Sequence, residues 1–205
     1  MSNKGILYLI IVVLLVVGMI TIPKFYKSLD PLKTDFYLDN SKVYLLREYD
    51  YDRSHAQLAK AIESMRELEK ELDEQGKFII ETSIKDLDKI SEEIENKELS
   101  KADLNAAYAK ALDALTYAEI KISEHLLEEN SSKDAIIALK YGMVHLRNAL
   151  KYSDSEELKN FEMHIYEELD SLIANKSLSH DEMKKKLDHL LEELDYIVEE
   201  KDSIK

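Results

Sequence analysis

Histidine is the residue type in this chain best suited to ligate a metal ion or to act as a base. The 205 residues include six histidines and no cysteine. A di-iron bundle needs Glu-x-x-His on two helices, and no histidine here follows a glutamate at that spacing. The reverse spacing, which also places both side chains on one helix face, occurs at His125/Glu128, His164/Glu167 and His189/Glu192. Because acidic residues are abundant, we interpret these as surface pairs and predict no metal site and no cofactor.

His145 stands apart from the other histidines because its helix carries a second face of small residues. Ala135, Ala138, Gly142 and Ala149 share that face. Small side chains allow two helices to approach closely, and they also leave room for a flat ligand such as haem. We expect core packing here, and a haem or other cofactor pocket is the alternative.

A cluster of tyrosines and arginines lies at the first loop of the helical region. Aromatic residues and arginine are the residue types enriched in the centres of protein interfaces. A loop also uses them to pack against its own bundle, so both interpretations stay open. The candidate interaction residues are Tyr44, Arg47, Tyr49, Tyr51 and Arg53.

The remaining sequence lacks the motifs of common enzymes. It has no Gly-rich phosphate loop, no Ser/His/Asp set and no zinc motif, and without cysteine it has no thiolate nucleophile. We therefore predict that the protein is not an enzyme. Its net charge is −14, and the first 35 residues hold four lysines and two aspartates, so the remainder is near −16. Such a surface repels phosphate backbones, which excludes nucleic acid as a partner.

Helices must position these side chains. The chain has only four glycines and two prolines, and apolar residues recur at steps of three and four throughout the region after residue 35. This period is typical of amphipathic helices. We predict seven helices at about 36–49, 54–74, 77–95, 101–129, 133–151, 155–174 and 180–200.

Serines mark the expected helix starts. A serine followed three residues later by an acid or Gln is typical of a helix N-terminus. Gly76 follows the second predicted helix, where a left-handed residue would end it. The serine signals are Ser54…Gln57, Ser100…Asp103, Ser131…Asp134, Ser153…Glu156 and Ser179…Glu182.

The second half of the helical region resembles the first. Leu45 and Leu46 align with Leu126 and Leu127 at an offset of 81, and the sequence Asn-Lys-x-Leu-Ser occurs at both 96–100 and 175–179. We predict two duplicated units of about 80 residues, at 36–116 and 117–200, joined through one long helix. Residues 201–205 form a short C-terminal tail.

An uncharged apolar segment precedes the helical region. Residues 5–22 would span about 27 Å as a helix, close to the hydrocarbon thickness of a bilayer. The segment is longer than a signal-peptide core and lacks small residues at its end, so we predict an uncleaved transmembrane anchor. Residues 1–4 form a short tail and 23–35 a juxtamembrane linker. The short N-terminal head favours a signal-anchor that exports the soluble domain.

The predicted fold class is therefore all-α, a transmembrane helix followed by a seven-helix antiparallel bundle of two repeats. We expect a single-pass membrane protein whose soluble domain is extracytoplasmic. Its expected function is that of a non-enzymatic interaction module of the cell envelope, a scaffold, adaptor or chaperone-like bundle. Its expected partners are the bilayer through residues 5–22 and another protein, and the pattern also allows a homo-oligomer. The alternative is a bundle that binds haem or a divalent cation.

Overall fold

The computed structural model describes residues 30–200, apart from the side chains of residues 196–200. Within that range the chain forms seven α-helices and no strand, so the prediction of an all-α bundle is confirmed there. A π-helical segment, Tyr44–Glu48, continues the first helix. The helices are α1 Lys33–Val43, α2 Tyr51–Glu69, α3 Glu74–Asn96, α4 Lys101–Glu128, α5 Ser132–Ala149, α6 Glu156–Ala174 and α7 His180–Glu200.

The predicted transmembrane anchor, residues 5–22, lies outside the described residues, as does the C-terminal tail, 201–205. None of the helices between residues 30 and 200 is long and apolar enough to cross a membrane. The helical region forms one compact unit that starts at Leu32. Helix α1 begins at Lys33, three residues before the predicted start of the first unit.

Two of the predicted helix caps are present as expected. The Ser100 hydroxyl accepts a hydrogen bond of 3.0 Å from the backbone N–H of Asp103 and starts α4. At α7, Ser179 accepts from the N–H of Glu182, whose carboxylate in turn accepts from the N–H of Ser179 at 2.9 Å. Each cap satisfies backbone donors that the first helical turn leaves without partners.

Two other serines that were predicted to cap helices cap none, because they are buried in the core. Ser54 lies fully buried inside α2, which instead starts after Asp50, whose carboxylate accepts from the N–H of Arg53. Ser153 is also buried, and α6 is capped by Ser155. A buried serine and an exposed serine near a helix end have the same sequence signal. That signal alone therefore assigned both caps to the wrong residue.

Gly76 was predicted to end a helix and instead lies in the first turn of α3. Its backbone N–H donates to the carboxylate of Asp73, the N-cap residue, at 2.8 Å. Its φ is not positive, so the prediction of a left-handed end was wrong. A Cβ at this position would come within 2.9 Å of Leu72 Cβ. The glycine is therefore needed for close approach at the start of α3.

Helix α4 is the centre of the bundle. It packs against α3, α5 and α7, and every residue from 107 to 120 is buried. A helix that is buried on all sides cannot be described by one apolar stripe. Other helices can approach it closely on several sides because many of its buried residues are alanines, at 107, 109, 111, 114 and 118. Its buried Lys110 is paired with Asp86 at 2.8 Å.

Helix α5 meets α4 through its small-residue face. Gly142 lies where a Cβ would come within 3.7 Å of the Thr116 side chain and 3.6 Å of Glu119 Cβ. The Thr116 hydroxyl donates to the carbonyl of Gly142 at 3.3 Å. The close approach explains why small residues share the buried face of α5 with the larger Leu139 and Leu146.

Helix α1 is attached to the bundle by polar contacts and by the fully buried Leu38. Asp35 is buried and accepts hydrogen bonds of 2.6 Å from Nδ1 of His145 and from the amide of Asn148. Six residues further on, the buried Ser41 hydroxyl accepts from the hydroxyl of Tyr108 at 2.8 Å. These contacts hold α1 against α4 and α5.

Candidate interaction site

Tyr49 is the most exposed large apolar residue of the described chain, with 74% of its surface accessible. It follows the π-helical segment and adopts a left-handed backbone, with φ of 55°. The N–H of Asp50 donates to the carbonyl of Tyr44 at 2.9 Å and closes the turn. A left-handed backbone costs a residue with a Cβ about 1–2 kcal/mol. The fold thus presents an aromatic side chain to solvent on an unfavourable backbone.

The loop is held rigid on its far side by Arg53. Its guanidinium lies 3.0 Å from the Asp50 carboxylate and 3.6 Å from that of Glu48. It also lies over the ring of Tyr44, 5.4 Å from the ring centre. The arginine and Tyr44 therefore stabilise the turn, although the Arg53 side chain remains exposed.

A shallow pocket of about 120 Å³ lies beside Tyr49. Leucines from the loop and from the start of α4 form its apolar part. Tyrosines, a serine and two lysines form the rest of its lining. The leucines are Leu45, Leu46, Leu99 and Leu104, and the remaining residues are Tyr49, Tyr51, Lys97, Ser100 and Lys101.

The pocket contains two of the three non-glycine residues with positive φ in residues 30–200. Lys97, at the end of α3, has φ of 59°, and its ammonium lies 5.4 Å from the centre of the Tyr51 ring. Asn130, the third such residue, lies elsewhere and is a type that tolerates this conformation. Both residues end a helix, where a left-handed residue is common but is usually Gly or Asn. Strained backbone of this kind also clusters at binding sites.

The pocket is locally basic although the chain is acidic. Lys97 and Lys101 both line it. Burial, followed by the charge of Lys101, lowers the pKa of the neighbouring Lys42, with partial compensation by Asp39 and Asp154. A positive field at this place favours a ligand that carries a carboxylate.

The structure brings together only part of the predicted tyrosine and arginine cluster. Tyr49 and Tyr51 line the pocket, whereas Tyr44 and Arg53 stack on each other beside it. Arg47 is exposed and is not part of the lining.

The other half of the pocket, from residues 97 to 104, was not predicted as a site. Lys97, Leu99 and Ser100 belong to the repeated Asn-Lys-x-Leu-Ser sequence. That repetition indicated an internal duplication, but nothing in the sequence indicated that this loop meets the first one.

A larger groove of about 520 Å³ lies between α6 and α7. Two of its histidines approach the same carboxylate, with Nε2 of His164 3.4 Å and Nε2 of His189 3.3 Å from Glu193. Among the side chains described between residues 30 and 195, no three histidines or carboxylates are grouped so that they could hold a metal ion. Of the predicted His-x-x-Glu pairs, His189 and Glu192 lie 4.0 Å apart on α7, whereas His164 contacts α7 through Glu193.

His145 is a core residue. It is fully buried and bonded to Asp35, and the small residues around it pack against α4. Burial lowers its pKa, but the charge and hydrogen bond of Asp35 and the charge of Glu119 outweigh burial, so the pKa is raised above 6.5.

Comparison with known proteins gives no family for the chain. It matches no protein-family model, no curated protein and no solved structure. A functional assignment therefore depends on the geometry of the pocket and on the chemistry of its lining.

Proposed function

We propose that the protein is a membrane-anchored, non-enzymatic interaction module that binds another protein through the pocket beside Tyr49. The observation that carries the proposal is the joint left-handed backbone of Tyr49 and Lys97, both at the pocket. Gly and Asn are the residues that adopt this backbone most readily. A contact with a partner would account for a largely exposed tyrosine at such a position.

The lining indicates what the partner offers. An apolar side chain fits against the leucines, and the tyrosine rings supply rigid contact area at small entropic cost. A carboxylate beside that side chain would meet Lys97 and Lys101. The partner segment is therefore a short acidic peptide with one apolar anchor, and its binding weakens with salt.

We further propose that the bundle consists of two related units that share α4. Helix starts support the duplication, because α2 and α5 begin 81 residues apart, α3 and α6 82 apart, and α4 and α7 79 apart. The left-handed residues Tyr49 and Asn130 are also 81 residues apart. In this arrangement α4 ends the first unit and begins the second, so the tyrosine loop and the 129–131 turn are counterparts.

The membrane tether remains part of the proposal. The apolar segment 5–22 supports an anchor, and export of the helical domain is part of the same proposal. An anchor raises the local concentration of the pocket for partners at the same membrane, so a weak, shallow site is sufficient. A scaffold, adaptor or chaperone-like role in the cell envelope would follow.

Site-specific photo-crosslinking in cells that express the full chain tests the interaction. A photoreactive amino acid replaces Tyr49, and the control replaces Phe78, an aromatic residue of α3 that is 52% exposed. We expect a discrete adduct from position 49 that disappears with Lys97→Glu and Lys101→Glu. Equal adducts from both positions, or an adduct from position 49 that survives the charge reversal, would contradict the proposed site.

The alternative, a bundle that binds haem or a divalent cation, stays a prediction. The absorption spectrum and metal content of the purified full chain would test it directly. A coloured or metal-loaded preparation would favour it over an interaction module.

A further inference from the structure

Helix α1 exposes two apolar residues although its buried face is largely polar. It buries Thr34, Asp35 and Ser41 beside Leu38. It exposes Phe36, at 62% of its surface, and Val43, at 36%. A single exposed apolar residue is common in soluble proteins. Two of them on one side of a helix that buries three polar residues indicate instead that the outer face meets a surface that is not water.

The outer face of α1 consists of residues 36, 40 and 43, at steps of four and three that place them on one side of the helix. Arg47, in the π-helical segment that continues α1, is cationic and exposed. Asp39, at the edge of the face, is also exposed, and its carboxylate accepts a hydrogen bond from the hydroxyl of Tyr152. The centre of the face and its continuation therefore combine apolar side chains with positive charge.

The position of α1 in the chain identifies what covers this face. Only the ten residues 23–32 separate the apolar segment 5–22 from Lys33, and ten residues reach at most about 35 Å. That connection contains Phe25 and Tyr26 between Lys24 and Lys27. Aromatic and basic residues beside an apolar span are typical of a membrane–water interface.

We propose that the outer face of α1 lies on the surface of a membrane that contains anionic lipid. Phe36 and Val43 enter the boundary between headgroups and acyl chains, and Arg47 and Lys33 meet lipid phosphates. The rest of the helical domain is strongly acidic, so the same surface repels it. Attraction at α1 and repulsion elsewhere would orient the bundle on the membrane. The inference rests on the anchor and not on the pocket beside Tyr49.

Fluorescence quenching in lipid vesicles tests the proposal, and the absence of cysteine makes single labels straightforward. An environment-sensitive fluorophore is attached to the full chain through Asn40→Cys, between Phe36 and Val43. Vesicles contain phosphatidylcholine and phosphatidylglycerol with brominated acyl chains, which quench only labels within the membrane. The matched control is Glu81→Cys, an exposed position of α3 one turn after the exposed Phe78. A label at Val12→Cys reports insertion of the anchor.

We expect emission at Asn40 to shift to the blue and to be quenched, as at Val12, whereas Glu81 is unaffected. The combined variant Lys33→Glu and Arg47→Glu should reduce quenching at Asn40 in the mixed vesicles and leave it unchanged in phosphatidylcholine alone. Quenching at Val12 without quenching at Asn40 overturns the proposal while the anchor stands. A blue shift at Asn40 without quenching overturns it in favour of a protein, or a second copy of the chain, on this face. Absence of quenching at both positions overturns the anchor and the proposal together.

Discussion

Nδ1 of His145 lies 2.6 Å from the carboxylate of Asp35, and both side chains are buried. The pair joins α5 to α1, and the amide of Asn148 donates to the other oxygen of the same carboxylate. From α4, Glu119 also acts on the histidine through its charge. The protonation of this imidazole therefore affects how strongly α1 is attached, beside the contacts of Leu38 and Ser41.

The bundle should lose stability as the pH rises from the ordinary histidine pKa. In the folded chain the pKa of His145 is raised above 6.5, so the folded state retains a proton that the unfolded state releases. The stabilisation is complete below that value and disappears as the pH rises through the folded pKa. Urea unfolding of the full chain in a nonionic detergent, measured at a series of pH values, should show the decrease.

A second buried acid contributes in an overlapping range and needs its own control. Burial, followed by a hydrogen bond that its protonated carboxyl donates to Asp188, raises the pKa of Glu124 to about 7. This also lowers stability as the pH increases from the usual glutamate range to 7. With Glu124→Gln as the background, Asp35→Asn should abolish the remaining pH dependence, whereas substitution of the exposed His189 with Gln should preserve it. A pH dependence that survives Asp35→Asn would refute the role of the pair.

Tyr49→Asn should make the protein more stable and less able to bind. Asn tolerates the left-handed backbone, as Asn130 does with φ of 59°, so the substitution should add about 1 kcal/mol to the free energy of unfolding. It also removes the exposed ring beside the pocket. Urea unfolding measures the first effect, and loss of the crosslinked adduct, with the photoreactive residue moved to Tyr51, measures the second.

Tyr51→Asn is the matched control for this prediction. Tyr51 also lines the pocket but lies in α2 and not on a left-handed backbone. It should therefore lose binding without any gain in stability. If Tyr49→Asn left the free energy of unfolding unchanged, the backbone at Tyr49 would not be strained. The main observation that supports the proposed binding site would then be lost.

The helices could be predicted from the sequence because apolar period and caps act locally. Starts at Ser100 and Ser179 follow from side chains within one turn of each other. The polar part of the buried face of α1 could not be predicted in this way, because the buried side of a helix is inferred from its apolar residues. Only contacts with His145 and Tyr108, far away in the sequence, show that Asp35 and Ser41 are the buried residues.

Only one half of the candidate site could be predicted from the sequence. Tyrosines with arginines in one loop indicated an interaction surface, and two of those tyrosines line the pocket. Lys97 and Lys101 enter from the end of α3 and the start of α4, about 50 residues later. The two lysines line the pocket only because of how the helices pack against one another. The residue types of the 97–101 loop do not indicate locally which other loop it will meet.

Ser100→Ala should destabilise the bundle by about 1 kcal/mol, because it removes the hydrogen bond to the Asp103 N–H that starts α4. Ser131 provides the comparison, since it occupies the N-cap of α5 without accepting a hydrogen bond from the backbone. Ser131→Ala should therefore have a smaller effect. The urea midpoints of the two variants test this difference. Equal losses of stability would show that the hydrogen bond at the Ser100 cap does not add to the stability of the bundle.

Gly142→Ala and Gly76→Ala should change stability in opposite directions, although both glycines lie within helices. At Gly142 a Cβ would find its nearest neighbours at 3.6 and 3.7 Å, which is ordinary contact. Alanine there should stabilise the bundle by about 0.5–1 kcal/mol, through its greater helix propensity and the smaller entropy of the unfolded chain.

At Gly76 a Cβ would lie 2.9 Å from Leu72 Cβ and 3.2 Å from Oδ1 of Asp73, the cap of α3. Relief of that overlap requires the backbone at the helix start to shift, so Gly76→Ala should cost about 1 kcal/mol or more. Urea unfolding of both variants beside the parent chain tests the difference. Stabilisation by both substitutions would mean that α3 starts with more space than its contacts indicate, and destabilisation by both would mean that α5 cannot accept even a methyl group against α4.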